Sequence, residues 1–481
     1  MSDFDASARF RGATIHAGLG EAFFDPARPA DFPQAVLRYR NRHWAGRMGL
    51  DGLTDAQWVE HFGRFAPLPG SFEIPLALRY HGHQFQSYNP DIGDGRGFLF
   101  AQGYDLADGR LRDFGTKGSG VTPFSRGGDG KLTLKGGVRE VLATTMLEAL
   151  GVETSKSFSL IETGEALFRG DEPSPTRSSV LVRLSHSHIR IGTFQRLDYF
   201  EDYTRMAGLV EHCIAHYYSE LSDLPPDARV PAFMGAVAEN VARVTAQWIG
   251  AGFVHGVLNT DNTNITGESF DYGPWRFLPV YDPRFTAAYF DETGLYAFGR
   301  QPDAMAWNLT RLAECLVPIS SVEKLEPELN RFWPAFQSQL AKVIVGRLGL
   351  IPRGAIADGE LLSALFAFMA VDRPAYEQVF FDWRGGFASE KRALSSPQAA
   401  LYDSESFSAF KALLAAYESA PDANLFHPYF ARTEPRTMLI EEVEAIWAPI
   451  AAADDWAGFT AAIEEIEDMG RAYGVETFTI N

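Results

Sequence analysis

Cysteine is scarce in this chain: Cys213 and Cys315 are the only two in 481 residues. Each falls in an apolar helical pattern, so both are expected as reduced core thiols in a reducing compartment, and no disulfide is expected. Long hydrophobic runs are also missing, since no stretch reaches about 18 uncharged apolar residues. Met1-Ser2-Asp3-Phe4-Asp5 has neither a basic start nor an apolar run, so a cytoplasmic protein without a membrane partner is expected. Positive charge is in short supply. Lys plus Arg number 43 against 62 for Asp plus Glu, a net charge of -19, and such a body repels nucleic-acid phosphates. Nucleic acid is therefore not an expected partner, and any anionic substrate must rely on a local basic pocket. Internal repeats and low-complexity blocks are absent too. What remains, 46% hydrophobic and 22% charged, is an ordinary globular composition that excludes the disordered and fibrous classes. The length suits two or three domains or one large bilobal fold, and the chain is expected to act as a monomer.

Residues 1–92 are aromatic-rich and punctuated by Pro67-Leu68-Pro69-Gly70, with no clean period; they read as an extension wrapping the core. From Gly93 the pattern sharpens. The turn Gly93-Asp94-Gly95-Arg96-Gly97 leads into an apolar run Phe98–Tyr104, an Asp108-Gly109 turn and a second run Leu111–Lys117, which predicts a glycine loop feeding a hairpin. Val138, Leu142, Met146 and Leu150 recur at four-residue steps, predicting a helix over 131–150 that carries Glu140 and ends at Gly151. Val180, Leu181 and Val182 predict a strand over Ser179–Leu184. Beyond about residue 200 the pattern turns helical, near 203–220, 230–250, 303–316, 323–347, 359–371, 405–418, 437–449 and 456–470. The expected class is α+β, passing from mostly β to mostly α.

The most informative stretch is His255-Gly256-Val257-Leu258-Asn259-Thr260-Asp261-Asn262, followed by Asp271-Tyr272-Gly273. Protein kinases carry H-R-D-x-x-x-x-N and then D-F-G, in which the Asn and the second Asp hold magnesium against the nucleotide phosphates. His255 and Asn262 keep that seven-residue step, and a hard cation suits one amide and one carboxylate plus phosphate oxygens. Val257 stands where a kinase has its catalytic Asp, and it cannot take a proton. Asp261 is the nearest carboxylate able to act as general base. By itself the segment reads equally as a polar turn followed by an unrelated Asp. Lys117 on a strand and Glu140 on the next helix keep the order of a phosphate-binding lysine and the carboxylate that orients it. Arg96 in the glycine turn suits an anion. Arg183 and Arg190, seven apart, point to opposite faces of a straight strand, so Ser185-His186-Ser187-His188 must bend the chain if both are to grip one phosphate; exposed arginines paired with surface carboxylates are the other reading. His81 and His83, like His186 and His188, lack a carboxylate or cysteine at ligand spacing and read as hydrogen-bonded structural histidines.

Taken together these residues resemble the selenoprotein O family of protein adenylyltransferases, often described as pseudokinases. The resemblance rests on Gly82-His83-Gln84-Phe85, Gly93–Arg96, Lys117-Gly118-Ser119-Gly120-Val121-Thr122-Pro123-Phe124-Ser125-Arg126, Gly128-Asp129-Gly130, Arg139-Glu140, Ser187–Gly192, His255–Asn262 and Asp271-Tyr272-Gly273-Pro274, in order over roughly residues 75–320. It implies a kinase-like bilobal fold, with an N-lobe over 93–200, a C-lobe over 201–320 and a helical region over 321–481 in a supporting or substrate-docking role. It also implies ATP bound inverted relative to kinases, so that AMP passes to Ser, Thr or Tyr hydroxyls of protein substrates. Carried over residue by residue, Lys117 contacts phosphate and pairs with Glu140, and Gly93, Gly95, Arg96, Asp129 and Gly130 line the nucleotide. Arg183 and Arg190 hold the inward γ-phosphate, Asn262 and Asp271 bind magnesium, with manganese as the alternative, and Asp261 is the base. Many members carry a selenocysteine or cysteine close to the C-terminus; this chain ends Glu476-Thr477-Phe478-Thr479-Ile480-Asn481, so thiol regulation is not expected. The rival readings are a kinase-like phosphotransferase and an inactive nucleotide-binding scaffold, the latter having no physical need for a complete metal and phosphate set.

Overall fold

Leu111–Lys117 is buried along its whole length, which requires a neighbour on each side and cover on each face. In the computed structural model, which describes residues 9–170 and 172–475, it is a central strand of one antiparallel sheet. The strand order is Phe24–Pro26, Leu76–Leu78, Leu99–Tyr104, Leu111–Lys117, Thr176–Ser185, Lys156–Leu167 and Val36–Arg40. Short strands Gly12–Ala13 and Leu132–Thr133 add to Leu99–Tyr104 and Thr176–Ser185. Residues before Gly93 thus supply strands at both edges of the sheet. The expectations placed on Met1–Asp5 and on Glu476–Asn481 lie outside the described residues.

Alternation along Thr176–Ser185 assigns its faces. Leu181 packs with Val138, Leu142 and Met146 of the helix Leu134–Ala149, whereas Val180 and Val182 point into an aromatic cluster on the other face. There Phe158 lies between Trp58, Phe62 and Phe114, with ring centroids 4.9, 5.2 and 5.1 Å away. Helix Asp55–Phe62 brings Trp58 and Phe62 to this face, and it starts on a capping box between Thr54 and Gln57, a signal legible in the sequence. Helix Leu134–Ala149 ends as its pattern predicts. Gly151 adopts φ 79°, and Val152 and Gly151 donate to the carbonyls of Leu147 and Glu148 at 2.9 Å, closing the last turn.

The sheet's helix face runs without a break into a helical body built on Pro226–Gly250, Gln301–Leu316, Phe332–Arg347 and Ala355–Asp372. The class is therefore α+β, as the sequence implied. Cys213 and Cys315 are buried free thiols, and no helix among the described residues is long and apolar enough to cross a membrane.

One expectation needs correction, and one strand was not anticipated. The helix read over 323–347 is two helices, Val322–Leu329 and Phe332–Arg347. Pro334 lacks an N–H and is accommodated most easily in a first turn, and the second helix starts just ahead of it. The twelve-residue strand Lys156–Leu167 was not among the expected elements; register shifts at Ser157/Ser159 and Glu162/Ala166 leave its two-residue alternation in short pieces.

Phe158 is fully buried, so Phe158→Ala is expected to lower stability by about 3–5 kcal/mol. Phe426→Ala, at a fully exposed ring, should stay within about 0.5 kcal/mol. Urea unfolding of the two variants beside the parent checks both.

Candidate active site

Lys117 closes its strand with the ammonium turned toward the following helix, and its Nζ lies 2.6 Å from Glu140 Oε2. Both side chains are almost wholly buried. The same Nζ lies 3.0 Å from Asp271 Oδ1, and Arg183 Nη1 lies 3.1 Å from that oxygen and 3.5 Å from Glu140 Oε1. Two cations and two carboxylates therefore alternate in a closed ring. Burial works against the Asp271 carboxylate charge, but Lys117, Arg183, Arg96 and Arg190 together hold its pKa well below the usual carboxylate range, so it stays ionised.

Asp271 sits in the left-handed region at φ 64°, and its neighbours hold it there. His255 is buried, which pushes its basicity down and keeps the ring neutral. Its Nε2 lies 2.9 Å from the Phe270 carbonyl, and because a carbonyl only accepts, Nε2 carries the proton. On the other side the Tyr272 hydroxyl bonds Thr154 Oγ1 at 2.5 Å and Ser269 Oγ at 2.6 Å. Backbone bonds from Ser155 N to Ser269 O and from Ser269 N to Glu153 O, 2.7 and 2.9 Å, tie this loop to the segment leaving the Glu140 helix.

Asp261 lies in the single turn Thr260–Asn262. Burial pushes its pKa up to about 6 against the pull of Arg190, and its Oδ1 is enclosed without a hydrogen-bond partner. Asn262 Nδ2 donates to the Val257 carbonyl at 3.1 Å, which fixes the amide and commits its nitrogen. Arg183 and Arg190 do come together. The strand stops at Ser185 and Arg190 is the residue before helix Ile191–Tyr199, so the Ser-His-Ser-His segment makes the bend that the seven-residue step demands. His188 N donates to the buried Asp113 Oδ2 at 2.8 Å and anchors the bend. The Arg190 guanidinium stacks 4.1 Å from the Tyr80 ring centre and donates to the Asp261 carbonyl at 3.1 Å. His81 and His83 bond Tyr88 and Gln195 at 2.8 and 2.6 Å.

These groups open on a cavity of about 640 Å³, lined by Gly93, Gly95, Arg96, Lys117, Asp129, Gly130, Arg183, Arg190, Asp261 and Asp271. Glu140 stands behind Lys117, and Asn262 is not among the lining residues. Asp129 is held by Arg169, whose Nη1 and Nη2 reach its two oxygens at 2.8 and 3.0 Å. Seven basic side chains face the cavity against four carboxylates, a local positive field inside a chain of net charge -19. Three of the seven, Arg126, Lys131 and Arg169, had no role in the sequence reading. Arg126 lies inside a quoted motif, whereas Arg169 reaches Asp129 only through the loop joining two strands and leaves no local signal. The glycine loop is tight: a Cβ on Gly93 would sit 2.4 Å from the Phe124 ring.

A family model described as Protein adenylyltransferase SelO matches residues 9–467. The chain belongs to the protein adenylyltransferase SelO family. Proteins called Protein nucleotidyltransferase YdiU are similar throughout: that of Trichormus variabilis is 41% identical over 479 residues, with 94% of each chain covered. Those of Synechococcus elongatus and Gloeobacter violaceus are each 44% identical, with 93% and 92% of each chain covered. The resemblance drawn from motifs over residues 75–320 is borne out, and the SelO match continues through the C-terminal helices, where those motifs gave out.

Glu140→Gln leaves Lys117 and Arg183 short of a buried counter-charge and is expected to cost about 3–5 kcal/mol. Lys117→Met combined with Glu140→Leu, which leaves Asp271 paired with Arg183, is expected to cost less. Denaturant midpoints that put the double variant below the single one would contradict the interlocked ring.

Proposed function

We propose that this chain binds ATP inverted relative to protein kinases and transfers AMP to Ser, Thr or Tyr hydroxyls of protein substrates. The observation that carries the reading is Asp261: a desolvated carboxylate on the loop where a kinase would use the position of Val257, lining one cavity with seven cations. The arrangement supports a kinase-like bilobal reading, since strand lysine, helix glutamate, histidine-led loop and metal aspartate follow in the kinase order. Residues 93–200 would form the phosphate-facing lobe, braced by 1–92; 201–320 would carry the catalytic loop, and 321–481 would support it.

The chemistry of two residues supports a hard divalent cation as the ion. Asp271 is ionised, Asn262 has its amide nitrogen committed and its oxygen uncommitted, and both offer oxygen. Asn262 and Asp271 would hold magnesium or manganese, which when bound neutralises phosphate charge and polarises the reacting phosphoryl group. Lys117, steadied by Glu140, would bind phosphate oxygens, and Arg183 and Arg190 would grip the γ-phosphate in bidentate fashion. Gly93, Gly95, Arg96, Asp129 and Gly130 would line the nucleotide. The Asp261 carboxylate would accept the proton of the acceptor hydroxyl as the hydroxyl oxygen bonds the α-phosphorus and the bond to the β-phosphate breaks, releasing pyrophosphate.

ATP labelled at the α-phosphate is expected to mark the acceptor; label arriving from the γ-phosphate instead would replace AMP transfer by phosphoryl transfer. Asp271→Ala is expected to abolish transfer, as is chelation with EDTA, with recovery on added magnesium only in the parent. Asp261→Ala is expected to lower turnover by about 10²–10⁴-fold while ATP still binds, and unchanged turnover would remove Asp261 as the base.

A further inference from the structure

The Gly82-His83-Gln84-Phe85 motif is left without a task by the nucleotide reading. Gly82–Gln84 pairs with Ser87–Asn89 as a two-stranded hairpin separate from the main sheet, and it is bolted to the catalytic loop residue by residue. A Cβ on Gly82 would sit 2.8 Å from Asp261 Oδ1. His83 N donates to Thr260 Oγ1 at 2.7 Å and Phe85 N to Asn259 Oδ1 at 3.1 Å. Gln84, whose side-chain Oε1 accepts from Asn89 Nδ2 at 3.1 Å, lines the cavity together with Asp261.

The hairpin turns on Phe85 and Gln86, at φ 50° and 62°. That geometry suits Asn or Gly, and a bulky aromatic in the left-handed region is a strained choice. Strain of this kind persists where the side chain is used. Yet the Phe85 ring is not spent on the core: it is 37% exposed, touching Phe290 and Tyr296 at 5.8 and 5.0 Å between centroids. The Tyr296 hydroxyl donates to the same Asn259 oxygen at 2.9 Å, so the loop carrying these rings is fastened to the catalytic loop as well. Phe290 and Tyr289 are 47% and 85% exposed. None of Phe85, Tyr289 or Phe290 lines the nucleotide cavity. An open aromatic platform therefore stands beside the base, outside the space for ATP. Exposed aromatic clusters of this kind are the usual anchor of a protein interface.

We propose that Phe85, with Phe290 and Tyr289, is a specificity-determining element that receives an apolar or aromatic side chain of the acceptor polypeptide next to the hydroxyl to be modified. The proposal rests on the AMP-transfer reading for the identity of the transferred group. It does not rest on it for the flanking preference.

The test uses the full-length chain, ATP with magnesium, and two short synthetic peptides, one with a single serine flanked by phenylalanine and one with the same serine flanked by alanine. The parent is expected to use the phenylalanine peptide with a KM about tenfold lower. In Phe85→Gly and in Tyr289→Ala the two peptides should converge while the KM for ATP stays put. Phe85→Gly relieves the left-handed backbone, so its thermal midpoint should hold or rise, and lost preference cannot then be ascribed to unfolding. Equal KM values in the parent, or a preference that survives both variants, would overturn the platform. So would sedimentation showing that the parent self-associates and Tyr289→Ala does not, since a second copy would then be the occupant. Label passing from the γ-phosphate would sink the AMP reading alone, because the flank preference is still read on the product. If no label transfers, anisotropy of the same peptides carrying a fluorophore decides whether the phenylalanine flank binds.

Discussion

A closed ring of alternating charge, Glu140, Lys117, Asp271 and Arg183, underlies the rest of this structure. Its four members come from a helix, two strands and a loop. A buried charge without a partner costs far more than a paired one, so none of these elements can shift without opening the ring. Sheet, helix and helical body are fixed relative to each other at the point where a triphosphate would meet them. The ring also leaves Asp271 ionised, the state a metal ligand needs.

Around it, uncharged contacts carry out the fine positioning. His255 on the Phe270 carbonyl and the Tyr272 hydroxyl between Thr154 and Ser269 hold Asp271 in a backbone conformation that a non-glycine residue rarely adopts. Because the Tyr272 contacts run to the segment leaving the Glu140 helix, the Asp271 loop and the helix carboxylate are held to each other. Such preorganisation suits a reaction whose catalysis is mostly placement and electrostatics.

The two sides of the cavity differ in kind. The side formed by Gly93, Gly95, Arg96 and Gly130 is basic and glycine-lined, a surface suited to close backbone approach and to anions. The Asp261 side is walled by the Gly82–Asn89 hairpin and bordered by exposed rings, a surface suited to polypeptide. Asp261 lies between them, desolvated enough to sit near pKa 6, where a carboxylate can both take and give up a proton near neutral pH.

The sequence by itself determined what depends on short spacing. Leu111–Lys117 as a strand, the helix with Glu140 ending at Gly151, the loop from His255 to Asn262 and Asp271 beyond it are all fixed by local periodicity, turn chemistry and motif order. The odd separation of Arg183 and Arg190 made a bend between them necessary only if both meet in one pocket, and the tertiary structure decided that they do. Tertiary structure alone decided what depends on partners distant in sequence. Lys156–Leu167 is held as a strand by its pairing with Thr176–Ser185 on one side and Val36–Arg40 on the other, and Arg169 reaches the cavity through Asp129, 40 residues earlier. The platform at Phe85 exists because Asn259 accepts from both Phe85 and Tyr296. Short-range patterns record the covalent geometry of one segment; a pairing of buried charge or an unspent ring is a property of two segments at once, and appears only when the chain brings them together.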